Sequence, residues 1–201
     1  MVRFIGDDTL LYSAGDLVKR LFAHDLSTGT TQALYDGVGE GRIDPLSDQG
    51  AVVWWDEQVE LRYLTVDVRA TPRVTEHRRI PSSGTGETRT HGFFYRPDAL
   101  GGSFGMPLVV TQGETRSLVA FFDVRDFRTQ LVGELSSQPV APQTCQQSCV
   151  DWYGNSRPIF WSGRVFALLG PEVVGGMRFE GRIVESGRVV MTPPEDAVAQ
   201  P

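Results

Sequence analysis

Cysteine and lysine are almost missing from this chain. Cys145 and Cys149 are the only cysteines in 201 residues, so no second pair exists to complete a tetrahedral metal site. Lys19 is the only lysine among nineteen basic residues. Such an arginine bias reflects a GC-rich coding sequence and is not read as function. The formal net charge is −6, and the basic residues are scattered, the tightest group being "EHRR" at 76–79. Phosphate binding needs a concentrated basic surface, so nucleic acid is not expected as a partner. We read 76–79 as a solvated strand. No apolar run approaches the roughly 20 residues that span a bilayer as a helix. The opening "MVRFIGDDTLLYSAG" lacks the charged and apolar regions of a signal peptide. Catalytic signatures are missing too. There is no G-x-S-x-G and no H-E-x-x-H, and the glycines of "SSGTGETRTHG" (82–92) are not followed by G-K-[ST]. That stretch reads as a surface loop, and no cofactor is implied.

What the chain has is punctuation. Glycine (22) and proline (12) recur along the whole length, which disfavours long helices and favours short strands with tight turns. With 40% hydrophobic and 22% charged residues, the composition is that of a globular protein. The expectation is all-β. "DTLLYSAG" (8–15) is followed by "RLFAHDLSTGTTQALYD" (20–36), two strands around a polar turn. The same grammar returns in "GAVVWWDEQ" (50–58), "LRYLTVDVRATP" (61–72) and "RVTEHRRI" (73–80). It returns again in "MPLVVTQGE" (106–114), "SLVAFFDVRDFRT" (117–129) and "QLVGELS" (130–136). The last copy is "GRVFALLGPE" (163–172), "MRFEGRIVESGR" (177–188) and "VVMTPP" (189–194). Asp25, Asp67 and Asp123 each end an apolar strand, and the corresponding place in the fourth unit is Ile183.

Units of this size with three or four strands each predict a β-propeller-like array of about four antiparallel blades, with a β-sandwich or barrel as the alternative. The units run about 8–36, 44–80, 92–136 and 158–194, within one domain over 1–194 and a flexible tail at 195–201. "LVAFF" (118–122) reads as an inner strand covered on both faces. "RYLTVDV" (62–68) alternates and is expected nearer a blade's outside. Asp25, Asp67 and Asp123 are expected to fix turns, each accepting hydrogen bonds from backbone N–H groups that follow it.

The pattern "DPLSDQGAVVWW…LRYLTVDVRATP" resembles the TolB-type, WD40-like (PD40) repeat. Pro45, Asp48, Gly50 and Asp67 carry the resemblance in the second unit, and Asp25 with Gly29 in the first. The third unit lacks the turn before its strand, and the fourth lacks the aspartate. Trp55–Asp56 spells "WD" after the wrong strand for the WD40 signature. The resemblance implies a propeller fold. Families with this repeat include binding scaffolds, envelope-associated proteins and propeller domains of some peptidases, so fold does not settle function. Four units leave three readings of closure: a small closed ring, part of a larger ring, or half of a ring completed by another subunit. The abrupt start of the chain favours a domain of a longer protein.

The longest interruption is "PQTCQQSCVDWYGNSRPIFW" (142–161). The Cys145–Cys149 spacing fits a local disulfide, two free thiols, or a metal site that recruits histidines or Asp151; the disulfide is the expectation carried forward, and no metal site is assigned. A disulfide implies an oxidising, extracytoplasmic compartment, which the absence of a signal peptide opposes unless an N-terminal part precedes this chain. Without the disulfide the expectation is cytoplasmic. Trp152, Tyr153, Asn155 and Arg157 form a candidate binding cluster, since aromatic and arginine side chains on a loop are typical hot-spot residues; packing of Trp152 and Tyr153 into the fourth blade is the alternative. The resulting expectation is a non-catalytic scaffold that presents loops 136–158 and 81–104 to a protein or peptide partner. The competing one is a hydrolase, or an accessory propeller of a peptidase-like enzyme, with polar groups converging at the propeller axis.

Overall fold

Polar turns cut this chain into strands that stack as small antiparallel sheets. The structure, a computed structural model, describes residues 1–57, 60–81, 84–85, 93–112, 114–138 and 156–191. No helix occurs among them. The first sheet holds β1 (Val2–Ile5), β2 (Thr9–Ala14), β3 (Lys19–Asp25) and β4 (Thr30–Val38). The second holds β5 (Gly41–Ser47), β6 (Gly50–Glu57), β7 (Glu60–Asp67) and β8 (Arg73–Pro81). The short β9 (Gly84–Thr85) pairs with β11 of the third sheet, which is built from β10 (Phe94–Asp98), β11 (Gly101–Gln112), β12 (Glu114–Arg125) and β13 (Arg128–Ser136). The fourth holds β14 (Ser156–Trp161), β15 (Arg164–Leu169), β16 (Glu172–Phe179) and β17 (Arg182–Val190). Every sheet is antiparallel and its main strands follow chain order, so the architecture is a propeller-like array of four blades.

Each sheet has four main strands, the upper of the three or four expected per unit, and the third sheet adds β9 as a fifth. The strands that precede the apolar stretches legible in the sequence are β1, β5, β10 and β14, each at the edge of its sheet. Pro45 hides β5. Proline reads as a turn residue, but an edge strand tolerates its missing donor, and the ladder shifts register between Pro45 and Ser47. The alternating β7 lies next to the outer strand β8, yet both of its faces are buried. Leu61 and Tyr63 pack toward the third sheet while Leu64 and Val66 pack toward the first, because β7 lies between β6 and β8 with a sheet on either side. In the fourth sheet the expected strand 177–188 is a hairpin turning at Glu180–Gly181, where both residues are left-handed (φ 47° and 78°). Ile183 therefore lies on β17 and matches none of the three aspartates.

Three apolar clusters hold the array together, one between each successive pair of sheets, and none joins the fourth sheet to the first among the described residues. Among the described residues the array is an open arc. The middle cluster is the largest and includes Trp54, Tyr63, Phe104, Met106 and Phe122, with the Phe104 and Phe122 rings stacked at 4.9 Å. Two close approaches set the sheet spacing. The Phe127 ring, at the tip of the β12–β13 hairpin, lies so near Gly50 that a Cβ there would meet it at 2.2 Å. Gly133, at a β-bulge in β13, faces the Ile183 carbonyl oxygen, 2.3 Å from where a Cβ would stand.

Candidate functional site

The second and third sheets splay apart at their outer strands, leaving a cleft of about 530 Å³. Its floor is apolar. Leu108, Val110, Leu118 and Phe122 come from the third sheet, Tyr63 and Ile80 from the second, and Leu131 stands half-exposed at the lip. Arg78, Arg116, Gln130 and Glu134 line the rim. Strand alternation explains the mixture: on β12, Phe122, Leu118 and Arg116 share one face, so the strand becomes polar only where it leaves the core.

One end of the cleft is pinned by a buried hydrogen-bond chain. The Tyr63 hydroxyl lies 2.6 Å from Thr129 Oγ1, and Thr129 donates both its hydroxyl and its backbone N–H (2.8 Å) to Glu76 Oε2. Thr129 has one hydroxyl proton and gives it to the carboxylate, so Tyr63 is the donor to Thr129. Arg78 Nε donates to Glu76 Oε1 at 2.8 Å. Burial pushes the Tyr63 phenol up to about 12, so it stays protonated and serves as a structural donor. Behind this chain, Asp126 and Phe127 adopt left-handed φ of 50° and 54°, costly for a phenylalanine. The strain is offset on the second sheet. The Thr65 and Thr75 hydroxyls donate to the Phe127 carbonyl at 2.6 and 2.7 Å, and the Arg69 guanidinium sits 4.9 Å from the ring centre.

Two shallower grooves, about 470 and 410 Å³, run along the edge strands β1, β5, β10 and β14. Phe94, Tyr95 and Pro97 line both. The carboxylate on these linings is Asp44, buried and held by Trp54 Nε1 at 2.8 Å and Arg42 Nη2 at 2.5 Å. No pair of carboxylates or histidines meets in any of the three linings. His24 bonds Thr31 and His77 bonds Tyr35. No group of three metal-ligating side chains occurs among the described residues.

The residues singled out in the sequence are scattered. Cys145, Cys149, Asp151, Trp152, Tyr153 and Asn155 lie outside the described residues, as does the tail at 195–201. Arg157 is on β14, beside the larger groove, with its Nε buried and unpartnered. Asp25 accepts from the backbone N–H groups of Ser27 (2.8 Å) and Thr28 (3.1 Å), which closes the β3–β4 turn. Asp67 accepts from the Arg69 N–H at 3.0 Å and also from the Arg69 and Arg73 guanidiniums. Asp123 does something else. It lies two residues before the end of β12, too early for the turn, and takes Arg178 of the fourth sheet. The cleft is not legible in the sequence because "EHRR" is only half solvated: Glu76 is buried toward the third sheet, and on the alternate face His77 packs against the Tyr35 ring. Glu76, Arg78 and Ile80 share the face toward the third sheet, but a β-bulge at Thr75 turns Val74 toward the first, so the alternation of β8 breaks within the strand.

No family model matches the chain, and no curated protein matches it. A crystal structure of a protein assigned as a 6-phosphogluconolactonase, from Bacteroides fragilis, is similar to it with a TM-score of 0.42 and 14% identity, over 91% of this chain and 54% of that one. The chain spans about half the length of that protein.

Proposed function

We propose that the chain is a non-catalytic binding module whose cleft between the second and third sheets takes an extended segment of a protein partner. One observation carries this reading: the cleft has an apolar floor beside an exposed Arg116 that forms no described ion pair. Such a surface suits a peptide that buries an apolar side chain against Leu118 and Leu131 and sets a carboxylate on Arg116. An apolar anchor in a pocket supplies affinity, and a rim charge supplies register and partner choice. The protonated Tyr63 and the paired Glu76 and Asp44 speak for binding over acid–base chemistry.

The test is selection of a random-peptide display library on the full chain, followed by binding of the selected peptides to Arg116→Glu and Leu131→Glu. Both side chains are exposed enough to change without touching the core. The reading expects selected peptides that pair an apolar residue with Asp or Glu, and at least about a tenfold loss of affinity in either variant. Peptides that bind both variants as well as the parent would overturn it.

A further inference from the structure

The arc ends in two sheet faces that no other described residue covers, and both are built like interior ones. In the fourth sheet Arg178 and Ile183 point back to the third sheet, so their neighbours Met177, Phe179 and Val184 point forward, away from the array. Trp161, Phe166 and Leu168 share that forward face through the β14–β15 and β15–β16 registers. Trp161 is 67% exposed and Phe179 60%. At the other end, Leu11 and Leu21 face the second sheet, while Val2, Phe4, Leu10, Tyr12 and Phe22 face away. Val2 is 66% exposed and Phe4 61%, and the Tyr12 and Phe22 rings stack at 5.2 Å. A contiguous apolar face of this kind marks an interaction surface.

We infer that a second copy of this chain covers both faces, the fourth sheet of each copy stacking on the first sheet of the other to close a ring of eight sheets. The sense of the stacking supports it. Each interior contact sets the forward face of one sheet on the rearward face of the next. The free face of the fourth sheet is forward and that of the first is rearward, so their union repeats a contact the chain already makes three times. One two-fold axis then satisfies all four exposed faces, and eight sheets fall within the range of closed propellers. Charge agrees. The hairpin-turn end of the fourth sheet carries Arg164 and Arg182, neither in a described ion pair, and the same end of the first sheet carries the exposed Asp7 and Asp8. These ends align in the array, as the β1–β2 turn at Gly6 already meets the β5–β6 turn at Asp48.

The experiment is sedimentation equilibrium of the full chain from about 1 to 100 μM, the range in which a standard-size interface forms. The expected mass is twice that of the monomer. Phe4→Glu and Phe179→Glu should each weaken the dimer about 30-fold or more, the loss of a hot-spot aromatic. Far-UV circular dichroism should be unchanged, because neither ring is in the core. Mixed together, the two variants should form a dimer tighter than either forms alone, since one of the two junctions then joins unaltered faces. A monomer across the range, an open series of polymers, a Phe4→Glu protein that dimerises as tightly as the parent, or a mixture that associates no better than either variant alone would each overturn the proposal.

Discussion

Arg178 and Asp123 meet fork to fork across the junction of the third and fourth sheets, Nη1 to Oδ2 at 2.8 Å and Nη2 to Oδ1 at 2.7 Å. Ser103 Oγ adds a third hydrogen bond to the same carboxylate at 2.9 Å. Burial alone would raise the Asp123 carboxyl, but the bonds from Arg178 and Ser103 outweigh it and hold it below the ordinary value. Asp123→Asn keeps the size and loses the charge. It should cost about 1–2 kcal/mol at neutral pH, measured by urea denaturation, and Arg178→Met should cost at least as much, because it leaves the half-buried carboxylate without its charged partner.

Asp67 gives the pH dependence. The Arg69 hydrogen bonds outweigh burial and, with Arg73, bring its carboxyl down to about 2. A folded-state value below the unfolded one of about 3.9 makes the carboxylate stabilising above pH 4, by about 2 kcal/mol. That contribution is lost as pH falls from about 4 through about 2. Asp67→Asn should therefore be less stable at pH 7 and show a flatter stability profile between pH 4 and 2.5, as read by denaturant midpoints at each pH.

Gly133 and Gly187 both lie on outer strands of their sheets and differ in what surrounds them. A Cβ at Gly133 would stand 2.3 Å from the Ile183 carbonyl oxygen, whereas nothing lies within 4 Å of one at Gly187. Gly133→Ala should destabilise by about 2–3 kcal/mol through forced separation of the third and fourth sheets, and Gly187→Ala should stay within about 0.5 kcal/mol. Thermal melts of the two variants check the contrast.

Tyr63 should be silent in an alkaline titration. Its phenol is held near 12 by burial, so Tyr63→Phe should leave the 295 nm phenolate absorbance unchanged below about pH 11. The same variant loses the Thr129 bond and should be about 1 kcal/mol less stable.

Much of this architecture is legible in the residues. Glycine-bounded apolar strands give the four units, and "LVAFF" gives the enclosed β12, whose residues 118–122 are all buried. What escapes is decided by neighbours in space. β7 alternates like a half-exposed strand because both faces are apolar enough to serve two different sheets, a distinction absent from its own pattern. The β16–β17 turn escapes because Glu180 takes a left-handed conformation without a residue that favours it, leaving only Gly181 as a marker. The cleft escapes for a related reason. Glu76, Arg78 and Arg116 look like surface charge until the third sheet's Thr129 and Leu118 are set beside them.

The most direct measurement of the binding reading is where a selected peptide sits on the protein. In methyl-detected NMR of the full chain, titration with a peptide selected on it should shift Leu108, Leu118 and Leu131 together, with Ile159 beside the β10–β14 groove unmoved. Shifts confined to Ile159 and the edge-strand grooves, with those three leucines unchanged, would contradict the account.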